Sequence, residues 1–142
     1  MVLFVYPMIG RPDKSLPVGW SEIPGARGCT VQALTYSDTY GELVRSGAQV
    51  FGVSRQSNDA QEEATRRLAL KEPLLSDADG AFAAGLRLPE FTVGGKQYLR
   101  RLTLGVVAGT IDRIWYPVFP PGGEVSEVIS WLSDLACKRK AG

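Results

Sequence analysis

The chain reads as an α/β domain with a mixed central sheet, and three observations carry that reading. Val2–Tyr6 and Gln49–Val53 are hydrophobic without alternation, as strands buried on both faces are. Each is followed by a segment with helical spacing, which calls for right-handed crossovers and parallel pairing. The chain then closes with two strand-like runs around a tight turn and a last helix, which adds an antiparallel edge.

Val2 to Tyr6 forms the first strand, and Pro7 stops it. Met8 to Arg27 has no periodicity; Pro12, Pro17 and Pro24, with Gly10, Gly19 and Gly25, mark a long loop. Trp20 within it is expected to anchor the loop rather than line a cleft, because a large aromatic gains most where it is buried. One helix is expected from Gly28 or Cys29 to Ser46, with Ala33, Tyr36, Tyr40, Leu43 and Val44 at helical spacing and Gly47 as its stop.

Gln49–Val53 is the second strand. Ser57 or Asn58 caps the next helix, with Gln61 three residues after Asn58 as in a capping box. Glu62 with Arg66 and Glu63 with Arg67 are i,i+4 pairs in the favoured order, and the helix ends near Leu70. Leu74–Asp77 is extended, and Asp79–Leu86 is a short helix. Phe91–Leu99 is a small hairpin turning at Gly94-Gly95. Arg101–Val107 and Thr110–Tyr116 pair across Ala108-Gly109. The last helix runs from about Gly123 to Cys137, with an apolar stripe of Val125, Val128, Ile129, Leu132 and Leu135. Glu124 and Glu127 in its first turn, and Lys138-Arg139-Lys140 at its end, complement its dipole. The order is that of a single three-layer thioredoxin-like domain over 1–142, with a cysteine at the start of the helix after the first strand.

Composition narrows the chemistry. Hydrophobic residues are 44%, charged residues 22% and the net charge is +1, so no nucleic-acid or membrane partner is expected. No apolar run approaches the roughly 18 residues of a membrane span, and Val2–Tyr6 is too short for a signal peptide; the expected compartment is the cytoplasm. The chain has no histidine, which excludes His-based triads and most zinc sites, so any chemistry must be activated by charge, backbone dipoles and hydroxyls. Its two cysteines, Cys29 and Cys137, are too few for a disulfide-stapled scaffold.

Cys29 is the candidate reactive centre. It follows the glycine-rich turn Ile23-Pro-Gly-Ala-Arg-Gly28 at a helix start, with Arg27 two residues before it. Helix dipole and cation both favour thiolate, the nucleophilic form. The bland alternative is a small buried hydrophobe, the usual fate of free cysteine.

Several short motifs, in order, resemble the peroxiredoxins, in particular the bacterioferritin-comigratory (Q-type) branch of the alkyl-hydroperoxide-reductase and thiol-specific-antioxidant group. Phe4-Val-Tyr-Pro7 resembles the strand-then-proline of that family, and Gly28-Cys29-Thr30 its peroxidatic Gly-Cys-Thr. Gln32-Ala33 stands where the family often has Glu-Ala. Gly52-Val-Ser54, Leu74-Leu-Ser-Asp77 and Arg101-Leu-Thr103-Leu complete the match. The resemblance implies that Cys29 attacks a peroxide to give a sulfenic acid. Arg101 would lower the thiol pKa and hold the peroxide, with Thr30, Pro7, Gly28 and Arg27 around them. It further implies a peroxide substrate, an external thiol reductant (thioredoxin, glutaredoxin or a small thiol) and neither metal nor cofactor. Arg100, beside Arg101, is the surface arginine of the two, because adjacent strand residues face opposite ways.

The departures are equally specific. Ala26 replaces the family's Thr or Ser three residues before the cysteine, so Thr30, Ser21 or a loop group substitutes for the hydroxyl, or activity is reduced. Arg27 replaces a common proline, and 22 positions separate Pro7 from Cys29, an insertion relative to the family. Leu34 stands at the Q-type resolving position, so one-cysteine behaviour is expected. Cys137 is either a resolving thiol, in cis or across a dimer, or a bystander thiol, packed on the helix stripe near Leu132 and Leu135. The family's N-terminal hairpin and first helix are lacking ahead of residue 2, and a homodimer is expected to cover the faces they would occupy. A peroxide sensor and a silent thioredoxin-like interaction module are the rival readings.

Overall fold

The structure, a computed structural model, describes residues 1–141; Gly142 and the side chains of Lys140, in the basic run, and Ala141 lie outside the described residues. Strand β1 (Val2–Val5) leads into the long loop, which carries one 3-10 turn at Trp20–Glu22. Helices α1 (Cys29–Asp38) and α2 (Tyr40–Arg45) follow, then β2 (Val50–Ser54), α3 (Asn58–Leu68), β3 (Leu74–Ser76) and α4 (Ala81–Leu86). The chain ends with the hairpin β4 (Glu90–Val93) and β5 (Lys96–Leu99), then β6 (Leu102–Val107), β7 (Thr110–Trp115) and α5 (Val125–Ala141). The main sheet has the order β3-β2-β1-β6-β7, and β4-β5 is a separate two-stranded sheet. β1, β2 and β3 are mutually parallel, whereas β6 and β7 are antiparallel, which gives the expected mixed sheet.

β1 is central because both its faces are apolar. Val2, Phe4 and Tyr6 face one layer, where Phe4 stacks on Tyr36 of α1 at 4.4 Å and α5 contributes Val128, Trp131 and Leu132. Leu3 and Val5 face the other, packing with Val53, Ala83, Leu99 and Leu104. Both turns expected from sequence form with positive φ, at Gly94-Gly95 and at Ala108-Gly109. Trp20 anchors the loop: it is 2% exposed and meets the β4–β5 hairpin at Tyr98 (4.8 Å) and Phe91 (5.6 Å). Arg67 adds a second tie by donating to the Gly10 carbonyl at 2.8 Å.

Four local expectations are corrected. The helix expected over 28–46 breaks at Thr39, whose backbone (φ −100, ψ 5) leaves the helical region while its hydroxyl donates to the Thr35 carbonyl at 2.8 Å. A β-branched residue with a local hydrogen-bonding hydroxyl is a natural place for that break. At α3 the cap is Ser57, whose hydroxyl accepts from Ala60 N–H. Gln61 is not part of a capping box; it is buried, accepts from Tyr6 Oη at 2.6 Å and donates to Ser54 and Leu75. Its place on the core face outweighs the sequence signature. The Glu63–Arg67 pair forms at 2.6 Å, while Glu62–Arg66 is not an ion pair among the described residues. Cys137 is exposed, not packed, because it lies off the side of α5 that buries Val128 and Leu132. No helix of the described residues is long and apolar enough to cross a membrane.

Glu72, between α3 and β3, is 0% exposed, and neither carboxylate oxygen has a hydrogen-bond partner of good geometry. Burial pushes its pKa up to about 7 from 4.5; the nearby Ser37 hydroxyl and backbone amides offset this only in part. The folded state therefore holds a proton that the unfolded chain releases above its ordinary value. Stability is fully present below pH 4.5 and falls as pH rises toward about 7. The loss is on the order of 2–3 kcal/mol. Urea unfolding between pH 4 and 8 checks this, and Glu72→Gln should flatten the profile and raise stability at pH 8.

Candidate active site

Gly28 sets the local geometry. Its φ is +98, and a Cβ there would lie 2.3 Å from Pro121 Cγ, so only glycine fits between α1 and the segment before α5. It hands the chain to Cys29, the first residue of α1. Three groups surround the sulfur. Arg101 Nη2 donates to Sγ at 3.3 Å, Met8 N–H donates at 3.4 Å, and the thiol donates to the Ala26 carbonyl at 3.6 Å. Cys29 is only 3% exposed. Burial pushes its thiol pKa up; the Arg101 charge and the Met8 N–H pull it down without cancelling that. The expected depression is therefore not met in this closed state, because desolvation of the thiolate outweighs the charges placed beside it.

Arg101 immediately precedes β6 and is 4% exposed. Nη1 donates to Gln32 Oε1 at 2.6 Å, and Nη2 also donates to the carbonyls of Arg27 (2.7 Å) and Gly25 (3.1 Å). Arg100, by contrast, turns to the hairpin and lies over the Phe91 ring at 5.4 Å. Behind Gln32 is a second layer that sequence reasoning missed. Gln32 Nε2 donates to Glu124 Oε2 at 3.3 Å, Thr103 Oγ1 donates to the same oxygen at 3.2 Å, and Tyr36 Oη donates to Thr103 at 3.4 Å. Glu124 had the sequence look of a dipole-complementing acid. The only signal of another role was its position after the rigid Pro120-Pro121-Gly-Gly123 segment.

The sulfur lies under a cleft of about 450 Å³ whose lining includes Met8, Leu16, Trp20, Arg27 and Thr30. The inserted loop thus forms its roof. Thr30 reaches the cleft, but its hydroxyl makes no hydrogen bond to the sulfur, and Ser21 is exposed beyond the sulfur's hydrogen-bond shell. Backbone groups of Met8 and Ala26, rather than a side-chain hydroxyl, hydrogen-bond the sulfur. Pro7 is buried and ends β1 just before the Met8 amide. The Arg27 side chain is exposed at the cleft, and its carbonyl serves Arg101. Cys137 is not brought here. The last turns of α5, with Leu135 and Arg139, lie beside Met1 and Gly47, at the opposite end of β1 from Met8. The seven residue steps from Met1 to Met8 correspond to roughly 20 Å of extended chain.

The AhpC/TSA family model matches residues 23–100, more than half of the chain. The chain belongs to the AhpC/TSA family. Among curated relatives, a protein assigned to peroxiredoxin bcp in Coxiella burnetii is 29% identical over 109 residues, covering 74% of this chain and 72% of that protein. Chloroplastic peroxiredoxin Q of Sedum lineare is 25% identical over 108 residues, covering 76% of this chain and 58% of the plant protein. Toward the chloroplastic relatives the chain thus spans only about half of their length. Peroxiredoxin Q of Xanthomonas campestris superposes with a TM-score of 0.72 at 25% identity, over 94% of this chain and 77% of that one. Peroxidoxin BcpB of Mycobacterium tuberculosis gives 0.74 at 23% identity, over 94% and 77%, a likeness of fold. Family membership and these relatives support thiol-dependent peroxide reduction, which takes a peroxide and a thiol reductant.

The Gly28 geometry gives a direct test. Gly28→Ala should cost about 1–3 kcal/mol from the positive φ, with the Pro121 clash adding to it. Urea unfolding reads the loss, and labelling of Cys29 by a thiol reagent should speed up as the start of α1 is displaced.

Proposed function

We propose that this chain is a one-cysteine thiol peroxidase in which Cys29 is the peroxidatic residue. The observation that carries the reading is the sulfur held between Arg101 Nη2 and Met8 N–H beneath the roofed cleft. The Cys29 thiolate attacks the terminal oxygen of ROOH. An S–O bond forms and the O–O bond breaks; sulfur is oxidised by two electrons, and the leaving alkoxide takes a proton to depart as ROH, or as water from hydrogen peroxide. Arg101 offers donors to the peroxide oxygens as charge moves to the leaving one, and the Met8 and α1 amides stabilise negative charge at the sulfur. An external thiol then condenses with the sulfenic acid to a mixed disulfide and water, and a second thiol equivalent releases Cys29.

A disulfide needs Cα atoms within about 7 Å, so the position of Cys137 at the far end of β1 supports a bystander role. Two unpaired cysteines support a reducing compartment, the cytoplasm. The homodimer is supported by the open edge strand β7, whose Ile114 is 60% exposed. One observation favours a slower peroxide sensor instead: burial holds the Cys29 thiol up.

Stopped-flow oxidation of the reduced protein by hydrogen peroxide and by an alkyl hydroperoxide tests the reading. Cys29→Ser should abolish reaction, and Cys137→Ser should leave turnover with dithiothreitol unchanged; loss of turnover in Cys137→Ser overturns the one-cysteine assignment. Because the thiol pKa is raised, the thiolate fraction grows about tenfold per pH unit below it, so the rate should climb through pH 7–9 without a plateau. Arg101→Met removes charge-assisted hydrogen bonds and should slow oxidation about 10- to 100-fold.

A further inference from the structure

The hydrogen bonds behind Arg101 have a direction. Arginine is only a donor, so Gln32 must present Oε1 to Nη1, which forces its Nε2 to donate onward. The receiver is Glu124 Oε2, which also accepts from Thr103 Oγ1, and Thr103 in turn accepts from Tyr36. From both sides the donors point toward Glu124. Glu124 Oε2 accepts from both Gln32 and Thr103, as a carboxylate oxygen does, while Oε1 is buried without a partner. Glu124 is 6% exposed. Apart from the Cys29 sulfur, the acceptors on the buried guanidinium are neutral: Gln32 Oε1 and the carbonyls of Gly25 and Arg27.

We infer that Glu124 is the anionic positioning residue of Arg101, acting through the Gln32 amide from the segment just before α5. The inference rests on the reading of Cys29 as the peroxidatic thiol. The carboxyl linked to Arg101 stands one hydrogen bond beyond Gln32, on a different element from the cysteine. Arg101 and Tyr36 are the charged and titratable groups that act on it; burial holds the Glu124 carboxyl above its ordinary value, and Thr103, Gln32 and Arg101 offset this only in part. Gln32 therefore aims the Nη1 edge of the guanidinium, leaving Nη2 on the sulfur.

The test is a charge relocation. Glu124→Gln keeps the shape and removes the charge; Gln32→Glu combined with Glu124→Gln returns the charge directly onto Arg101. Oxidation of Cys29 by hydrogen peroxide is followed as a function of pH in both and in the parent. Glu124→Gln should lower the high-pH rate about tenfold and move the Cys29 pKa down, since an anion near the thiolate has gone. The double variant should return both toward the parent. A merely structural role would lower the rate without moving the pKa. Parental rate and pH profile in Glu124→Gln overturn the inference, as does a folded double variant no faster than the single one. If Glu124→Gln does not fold, the double variant alone decides: folded and active supports the relocation, unfolded or inactive overturns it. A parent protein whose Cys29 does not react with peroxide at all would overturn the proposed function instead.

Discussion

The site depends on one buried cation. Arg101 is nearly inaccessible, and its two Nη groups reach the carbonyls of Gly25 and Arg27, the side chain of Gln32 and the sulfur of Cys29. Burying a guanidinium is expensive unless its donors are satisfied, and each acceptor it recruits is thereby fixed. The end of the loop, the first turn of α1 and the start of β6 are joined through this one group. Gly28 makes the arrangement possible, since a side chain there would push α1 off Pro121 and carry the sulfur with it.

The sulfur sits between opposing demands. A helix start, an arginine and a backbone amide favour charge, while burial under the loop favours the neutral thiol. The loop is tied to the body by Trp20 in the β4–β5 hairpin and by Gln56, which accepts from Ile9 N–H at 3.0 Å. A small cleft roofed by a pinned loop keeps the reactive atom from bulk water while leaving a path for a ligand that brings its own hydrogen bonds.

Much of this was legible in the sequence because it is encoded locally. The uninterrupted run Val2–Tyr6, the Gly94-Gly95 and Ala108-Gly109 turns and the cysteine after Gly28 each determine conformation within a few residues. Arg101 was legible only by family resemblance and by the alternation that sends Arg100 the other way. What failed was set by tertiary surroundings. Gln61 and Glu124 carry the sequence signatures of helix ends, yet both turn inward because buried partners wait there. The direction of the Cys29 shift depended on a roof that composition does not show, and Cys137 depended on the rotation of α5, which a stripe of five apolar residues left open.

The exposure of Cys137 has a practical consequence. It is a thiol on an outer helix surface, far from the buried Cys29, and two such surfaces can meet in solution. Air oxidation of a concentrated preparation would therefore give covalent dimers on a non-reducing gel that say nothing about Cys29. A band of that kind belongs to storage history, and only material lacking the outer thiol gives a gel in which a cross-link reports on the buried one.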